Sequence, residues 1–172
     1  LGAYTTLISG PTKLSDPNVD KVVHVSSADE MMFECDKALP VNIAICAAAV
    51  ADYKVMKQSE AKIKKNGSRL DITLEENPDI LSRLSKRNDK RPDLVIGFAA
   101  ETENLEENSK FKLEKKGCDW ILGNNVSNGQ VIGKDTNEIH FISKSETENW
   151  KQMRKEEVAE KLSHKIVRHL KS

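Results

Sequence analysis

Short apolar runs alternate with longer segments of helical periodicity along most of the chain. Tyr4–Ser9 (YTTLIS) is rich in β-branched residues and stops at Gly10-Pro11, which predicts a strand ended by a turn. Val22–Val25 predicts a second short strand. Ser27-Ala28-Asp29-Glu30 has the spacing at which a serine and a glutamate satisfy each other's end of a helix start. A helix is expected from there to Leu39, stopped by Pro40, which cannot donate the next backbone hydrogen bond. Val41–Ala48 (VNIAICAA) is almost continuously apolar, the pattern of a central parallel strand covered on both faces.

Ala49–Lys65 has no clean period and ends in a lysine cluster. Leu70–Leu74 is a strand candidate, and Pro78–Lys86 reads as a helix with proline near its start. Leu94–Ala100 (LVIGFAA) is the second buried strand, Glu103–Lys116 a charged helix ended by Gly117, and Trp120–Leu122 a third apolar strand running into Gly123-Asn124-Asn125. Glu138–Ile142 alternates like a half-exposed strand. In Glu156–Leu170, Val158, Leu162, Ile166 and Leu170 recur at helical spacing and predict a docking face.

Strands alternating with helices predict an α/β fold, a Rossmann-like parallel sheet wound by helices, with a small antiparallel extension toward the C-terminus. The 172 residues suit one domain, spanning residues 1–172, and are too few for two ordinary ones. Ligands on such sheets bind beyond the carboxyl ends of the strands. Chemistry is therefore expected at Ala48–Tyr53, Phe98–Thr102 and Gly123–Val126, which follow the three most hydrophobic strands.

Composition narrows the classes. With 38% hydrophobic and 31% charged residues the chain is in the globular range, so a packed core is expected rather than disorder. The 27 basic and 27 acidic side chains balance, which disfavours nucleic acid as a partner. Small anions need only a few placed lysines and backbone amides and stay in play. Cys35, Cys46 and Cys118 are odd in number and lack a paired spacing, so neither a disulfide framework nor a zinc site is expected, and Cys46 reads as a small buried hydrophobe. No run reaches the ~18 apolar residues of a membrane span. Without a basic-then-apolar leader, a reducing cytoplasm is the expected compartment.

Each candidate site residue has a functional reading and a plain one. Past the third strand, Ala48 and its small neighbours permit close approach of a ligand, and Asp52 could bind sugar hydroxyls or a magnesium ion; equally, the alanines pack on a helix and Asp52 caps a turn. Lys62, Lys64 and Lys65 are mobile point charges suited to phosphate, or simply a solvated loop. Asn77-Pro78-Asp79-Ile80 leads into a helix that Asn77 could cap with Pro78 at its first position, or its free backbone groups could read a base edge. Lys112 and Lys116 lie one turn apart on one helix face, where an anionic partner, or glutamates such as Glu114, would offset their repulsion. The four histidines are scattered, and no HExxH, GxSxG, Walker A or GxGxxG motif is present.

In order along the chain, Ser9-Gly10-Pro11, Ala48-Ala49-Val50-Ala51-Asp52-Tyr53, Lys62-Ile63-Lys64-Lys65, Asn77-Pro78-Asp79-Ile80, Gly97-Phe98-Ala99-Ala100-Glu101-Thr102, Lys112 with Lys116, and Asn124-Asn125-Val126 together resemble the phosphopantothenate–cysteine ligase family. In bacteria this family is often the C-terminal half of a bifunctional coenzyme A biosynthesis flavoprotein. The resemblance implies a ligase that activates 4'-phosphopantothenate as an acyl-cytidylate with CTP and Mg2+, then joins it to L-cysteine. It implies Lys62 as the residue stabilising phosphate charge, with Ala48, Asp52, Asn77, Pro78, Asp79, Ile80, Phe98, Lys112 and Lys116 in the nucleotide pocket. Lys64 and Lys65 would belong to a flap, and the NPDI turn resembles the CTP-using branch.

Family members begin with a strand, a Gly-Pro-Thr loop, an Ile-Ser-Asn segment and a Ser-Ser-Gly-Lys phosphate turn that these residues do not include. Gly10-Pro11-Thr12 follows a later strand and lacks the Ser-Asn. The domain is therefore expected to be N-terminally incomplete, with a gap or exposed edge in its sheet. The family further implies a homodimer, for which Glu138–Ile142 is the expected contact, and a flavin-dependent phosphopantothenoylcysteine decarboxylase as a fused or separate partner. The rival readings are a Rossmann-like dinucleotide-binding oxidoreductase and a non-catalytic nucleotide-binding module.

Overall fold

In the computed structural model the described residues are 2–57, 59, 61–65, 67, 69–101, 104–125 and 136–171, with the backbone alone for Asn125. Thr102, Glu103 and Val126 of the predicted segments lie outside them. The described elements run β1 (Thr6–Ser9), β2 (Lys21–His24), α1 (Ala28–Ala38), β3 (Ile43–Cys46), β4 (Tyr53–Val55), β5 (Leu74–Glu76), α2 (Ile80–Ser85), β6 (Leu94–Glu101), α3 (Leu105–Lys116), β7 (Trp120–Asn125), β8 (Thr136–Ser143), β9 (Thr147–Arg154) and α4 (Lys155–His169).

The main sheet has the order β3-β6-β7-β8-β9. β3, β6 and β7 are parallel, while β8 and β9 add the antiparallel extension. Alternation along β6 explains why the sheet is covered on both faces. Leu94 and Ile96 point to a core of Trp120, Leu122, Ile139, Phe141 and Trp150 closed by Val158, Leu162 and Ile166 of α4. Val95 and Ala99 point the other way, to Ile121, Ile142, Leu113 of α3 and Leu81 of α2. The continuous apolar run is thus a strand with two buried faces, as a parallel sheet between helix layers requires. On α4 the predicted docking face is buried except for Leu170, which follows the helix and is 50% exposed.

β1 and β2 form a separate parallel pair. Met31 and Met32 of α1 join it to the main sheet through a core that includes Ile8, Val23, Ala44 and Cys46. Among the described strands β1 pairs only with β2 and β3 only with β6. β3 is therefore an edge of its sheet, not the central strand its apolar run predicts, and Ile45 is 49% exposed. The expected discontinuity in the sheet falls here.

Other expectations shift for identifiable reasons. The strand expected at Leu70–Leu74 begins only at Leu74, where it pairs with β4 in a two-stranded arm. Tyr53, Val55, Met56, Leu70, Ile72 and Leu74 leave this arm with an exposed apolar surface. β8 alternates as expected from exposed Glu138 to buried Ile139 and from part-buried His140 to buried Phe141, and Ile142 breaks the alternation because the other face of the sheet is covered as well. Within Glu138–Ile142, the segment expected at a homodimer contact, Ile139, Phe141 and Ile142 pack into the domain's own core, and Glu138 is exposed. At α1, Ser27 Oγ accepts from Glu30 N at 3.1 Å, but Glu30 Oε2 accepts from Ser26 N and Ser26 Oγ, at 2.7 and 2.9 Å, rather than from Ser27 N.

Candidate functional site

The carboxyl ends of β3 and β6, the base of the arm and the inner face of α3 meet at one end of the sheet. After Cys46 the chain runs through exposed Ala48 and Asp52 into β4. The arm returns at Asn77, whose backbone N–H donates to Asp52 O at 2.8 Å and whose side-chain Nδ2 donates to Ala51 O at 2.9 Å. Two segments 25 residues apart in sequence are thereby held together, Asp52 beside Asn77. Lys54 braces the arm from outside, with Nζ 2.5 Å from Asp29 Oδ2 of α1 and 3.7 Å from Glu75 Oε1.

Asn77 is committed to the arm and does not cap the following helix. The cap is Asp79, whose Oδ1 accepts from Ser82 N at 3.0 Å, and the helix opens at Ile80 rather than Pro78. The residue before a proline favours an extended backbone, which leaves Asn77 in the strand-like arm and moves the cap beyond Pro78. Ile80 is buried among the α1 core residues, so only its backbone faces the site. Phe98, within β6, is half-buried against the α4-side core, on the face of the sheet opposite α2 and α3, so its side chain is not gathered with the α3 lysines.

Both α3 lysines point at this end of the sheet, and each is held by a carboxylate of another element. Lys112 Nζ lies 2.5 Å from Glu101 Oε1 at the tip of β6, a side chain only 13% exposed. Lys116 Nζ lies 2.5 Å from Asp79 Oδ2. Their counter-charges are thus Glu101 and Asp79, not the Glu114 suggested by the helix pattern. Burial pushes the Asp79 carboxyl up, but hydrogen bonds from Lys116 and the Ser82 amide, with the charges of Lys116 and Lys86, hold it below the usual carboxylate range. Neither Glu101 nor the Asp79–Lys116 link is visible in local sequence, because the partners are 11 and 37 residues apart on different elements.

α3 reaches this position because it packs hard against β7. A Cβ on Gly123 would fall 2.5 Å from Ser109 Oγ and 3.1 Å from Leu105 Cδ1. Ser109 Oγ and Asn124 Oδ1 are buried there without a hydrogen-bond partner among the described residues.

Lys62, Lys64 and Lys65 are not gathered into the site by any contact. They are exposed in the connection between β4 and β5 and make no hydrogen bond or ion pair among the described residues. No cluster of three or more histidine, cysteine, aspartate or glutamate side chains suited to a metal ion occurs among the described residues. A cleft of about 560 Å³ along the outer side of α2, from Asp79 to Asp89, meets the site only at Asp79. The thiol of Cys46 is half-buried in the α1 core, and burial pushes it up to about 12, with Cys35 and Cys118 adding in the same direction, so it is an inert packing group. No described helix is long and apolar enough to cross a membrane.

The arrangement links two ion-paired lysines, the Asn77–Ile80 turn and the Asp52 segment near the end of a parallel sheet, where ligands bind in such folds. Residues 1–170 match the family model described as DNA/pantothenate metabolism flavoprotein, C-terminal domain. The coenzyme A biosynthesis bifunctional protein CoaBC of Haemophilus influenzae is 39% identical over 167 residues, covering 96% of this chain and 42% of that protein. Its counterpart in Escherichia coli K12 is 40% identical over 146 residues, covering 82% and 36% respectively. The crystal structure of the C-terminal domain of a CoaBC superposes with a TM-score of 0.79 at 32% identity, over 99% of this chain and 76% of that one. The chain thus spans about two fifths of the length of the curated relatives it matches.

Proposed function

The chain belongs to the family of DNA/pantothenate metabolism flavoprotein C-terminal domains, and on this premise we propose that it is the ligase part of a coenzyme A biosynthesis enzyme, joining 4'-phosphopantothenate to L-cysteine with CTP. The observation that supports the reading is a set of links among residues the family resemblance assigns to the nucleotide pocket: Asn77 N–H donates to Asp52 O, and Lys116 of α3 pairs with Asp79 of the same turn.

In this proposal Lys112 and Lys116 hold the triphosphate, the backbone of Asn77–Ile80 reads the base, and Asp52, with Ala48 allowing close approach, faces the ribose. Phe98 is kept in the pocket on the family resemblance alone, since its side chain packs on the α4 face of β6. The carboxylate of 4'-phosphopantothenate attacks the α-phosphorus, the bond to the bridging oxygen breaks, and pyrophosphate leaves. The cysteine amine then attacks the acyl carbon, loses a proton, and CMP departs with the former carboxylate oxygen. Charge accumulates on the phosphates in the first step, and a lysine brought over them by the arm, Lys62, would stabilise it. Lys64 and Lys65 would close over the nucleotide as a flap. Mg2+ would arrive with the triphosphate and share in neutralising its charge, the described residues offering no preformed metal cluster.

A flavin-dependent phosphopantothenoylcysteine decarboxylase remains the proposed partner, in keeping with the bifunctional relatives. A homodimer remains part of the proposal, and the exposed apolar arm is a further surface, beside Glu138–Ile142, on which it could form. The test is pyrophosphate release by the full-length protein given CTP, Mg2+, 4'-phosphopantothenate and cysteine. Release should require CTP and phosphopantothenate, and Lys62→Gln should lower it by about 100-fold or more while leaving the unfolding midpoint unchanged. Turnover at the wild-type rate in that variant would remove Lys62 from the mechanism. NADH binding without pyrophosphate release would overturn the ligase reading.

A further inference from the structure

Asp79 carries two duties with two oxygens. Oδ1 accepts from Ser82 N at 3.0 Å and starts α2, and Oδ2 accepts from Lys116 Nζ at 2.5 Å. The first bond shapes the turn after Asn77, and the second ties that turn to the last turn of α3. Lys86 Nζ, donating to Lys115 O at 2.7 Å, makes a second tie between the same two helices. The Lys116 side chain is only 27% exposed, so it is laid along the protein rather than waving in solvent. Lys112 is treated the same way by Glu101.

A lysine has a long, flexible stem, and ordering it on a ligand costs rotamer entropy unless something orders it beforehand. A carboxylate that touched a triphosphate directly would instead repel it. Both considerations point away from Asp79 as a ligand group. Resting on the nucleotide-site reading above, we propose that Asp79 is a positioning residue whose carboxylate acts through Lys116, fixing the Asn77–Ile80 turn and the α3 lysine as one prearranged unit for a nucleoside triphosphate.

A double-mutant cycle on CTP affinity tests this. The variants are Asp79→Asn, Lys116→Met and the pair, measured by calorimetry with the full-length protein. Asparagine is as good a helix cap as aspartate, so Asp79→Asn keeps the start of α2 and removes mainly the ion pair. The unfolding midpoint of each variant reports any general loss of structure. Asp79→Asn should weaken CTP binding by about tenfold when Lys116 is present, the scale of one charge-assisted hydrogen bond, and by less than about twofold in the Lys116→Met background. Equal losses in both backgrounds would show that Asp79 acts on the ligand by itself. Tighter binding in Asp79→Asn would show that its charge only competes with phosphate. Either result overturns the inference while leaving the nucleotide site standing. Absence of CTP binding by the wild-type protein would overturn the nucleotide reading, and this inference with it.

Discussion

Replacing Gly123 by alanine tests how α3 is seated. The added Cβ would lie 2.5 Å from Ser109 Oγ and 3.1 Å from Leu105 Cδ1, whereas ordinary contacts begin near 3.4 Å. Relief of the first contact therefore requires β7 and α3 to part by roughly 0.9 Å at a point where Ser109 is fully buried. Overpacking of this kind costs about 1–3 kcal/mol. Ser109→Ala removes the oxygen that is struck, and because that oxygen has no partner among the described residues, its loss alone should change stability by under about 1 kcal/mol. With both substitutions only the Leu105 methyl must yield, by a few tenths of an ångström. The double variant should then recover about 1 kcal/mol or more of the Gly123→Ala loss, a coupling read from urea midpoints at constant m. Because α3 carries Lys112 and Lys116, Gly123→Ala should weaken CTP binding as well. A Gly123→Ala protein as stable as wild type, or a double variant whose losses simply add, would refute the close seating of α3 on β7.

Two further predictions concern the support of the sheet. At the start of β7, Asp119 accepts two hydrogen bonds from Arg91 Nη2, both at 3.0 Å, and one from Val95 N at 2.7 Å. Asp119→Ala strands both partners and should cost about 2–3 kcal/mol in urea unfolding while sparing CTP affinity; a loss under about 0.5 kcal/mol would contradict it. On the α4 side, the hydrogen bond from Lys165, opposed by burial and joined by that from Trp150 Nε1, pulls Glu148 down from 4.5 to about 2. A depressed carboxyl contributes stability that is present above its unfolded value and is lost as pH falls through the folded one. The advantage of wild type over Glu148→Gln should therefore be full at pH 7, shrink below about pH 4.5 and be gone near pH 2 in urea midpoints, and a difference independent of pH would contradict the assignment.

What local pattern could reveal follows from where the partners lie. β6 was readable because a strand buried on both faces is apolar at every position, and LVIGFAA is so. The same logic misplaced β3: its apolar run is genuine, yet it ends the five-stranded sheet, and which strand is an edge depends on pairing that no single segment encodes. β9 went unseen because Thr147–Arg154 buries Trp150 but is mostly polar, as an edge strand's outer face should be. At the site, the shared face of Lys112 and Lys116 follows from helical spacing. Their counter-ions do not, since Glu101 and Asp79 meet them only after β6, α2 and α3 have packed. The capping role passed from Asn77 to Asp79 because Asn77 is drawn into the arm by Ala51 and Asp52, a contact across 25 to 26 residues.

The central claim is that this end of the sheet activates a carboxylate on a nucleotide, and isotope transfer addresses it most directly. 4'-Phosphopantothenate labelled with ¹⁸O in its carboxylate is turned over with CTP, Mg2+ and cysteine by the full-length protein, and the nucleotide product is weighed by mass spectrometry. Attack on the α-phosphorus followed by amide formation predicts that each CMP carries one ¹⁸O. Label found in inorganic phosphate, or product formed with unlabelled CMP, would contradict the account.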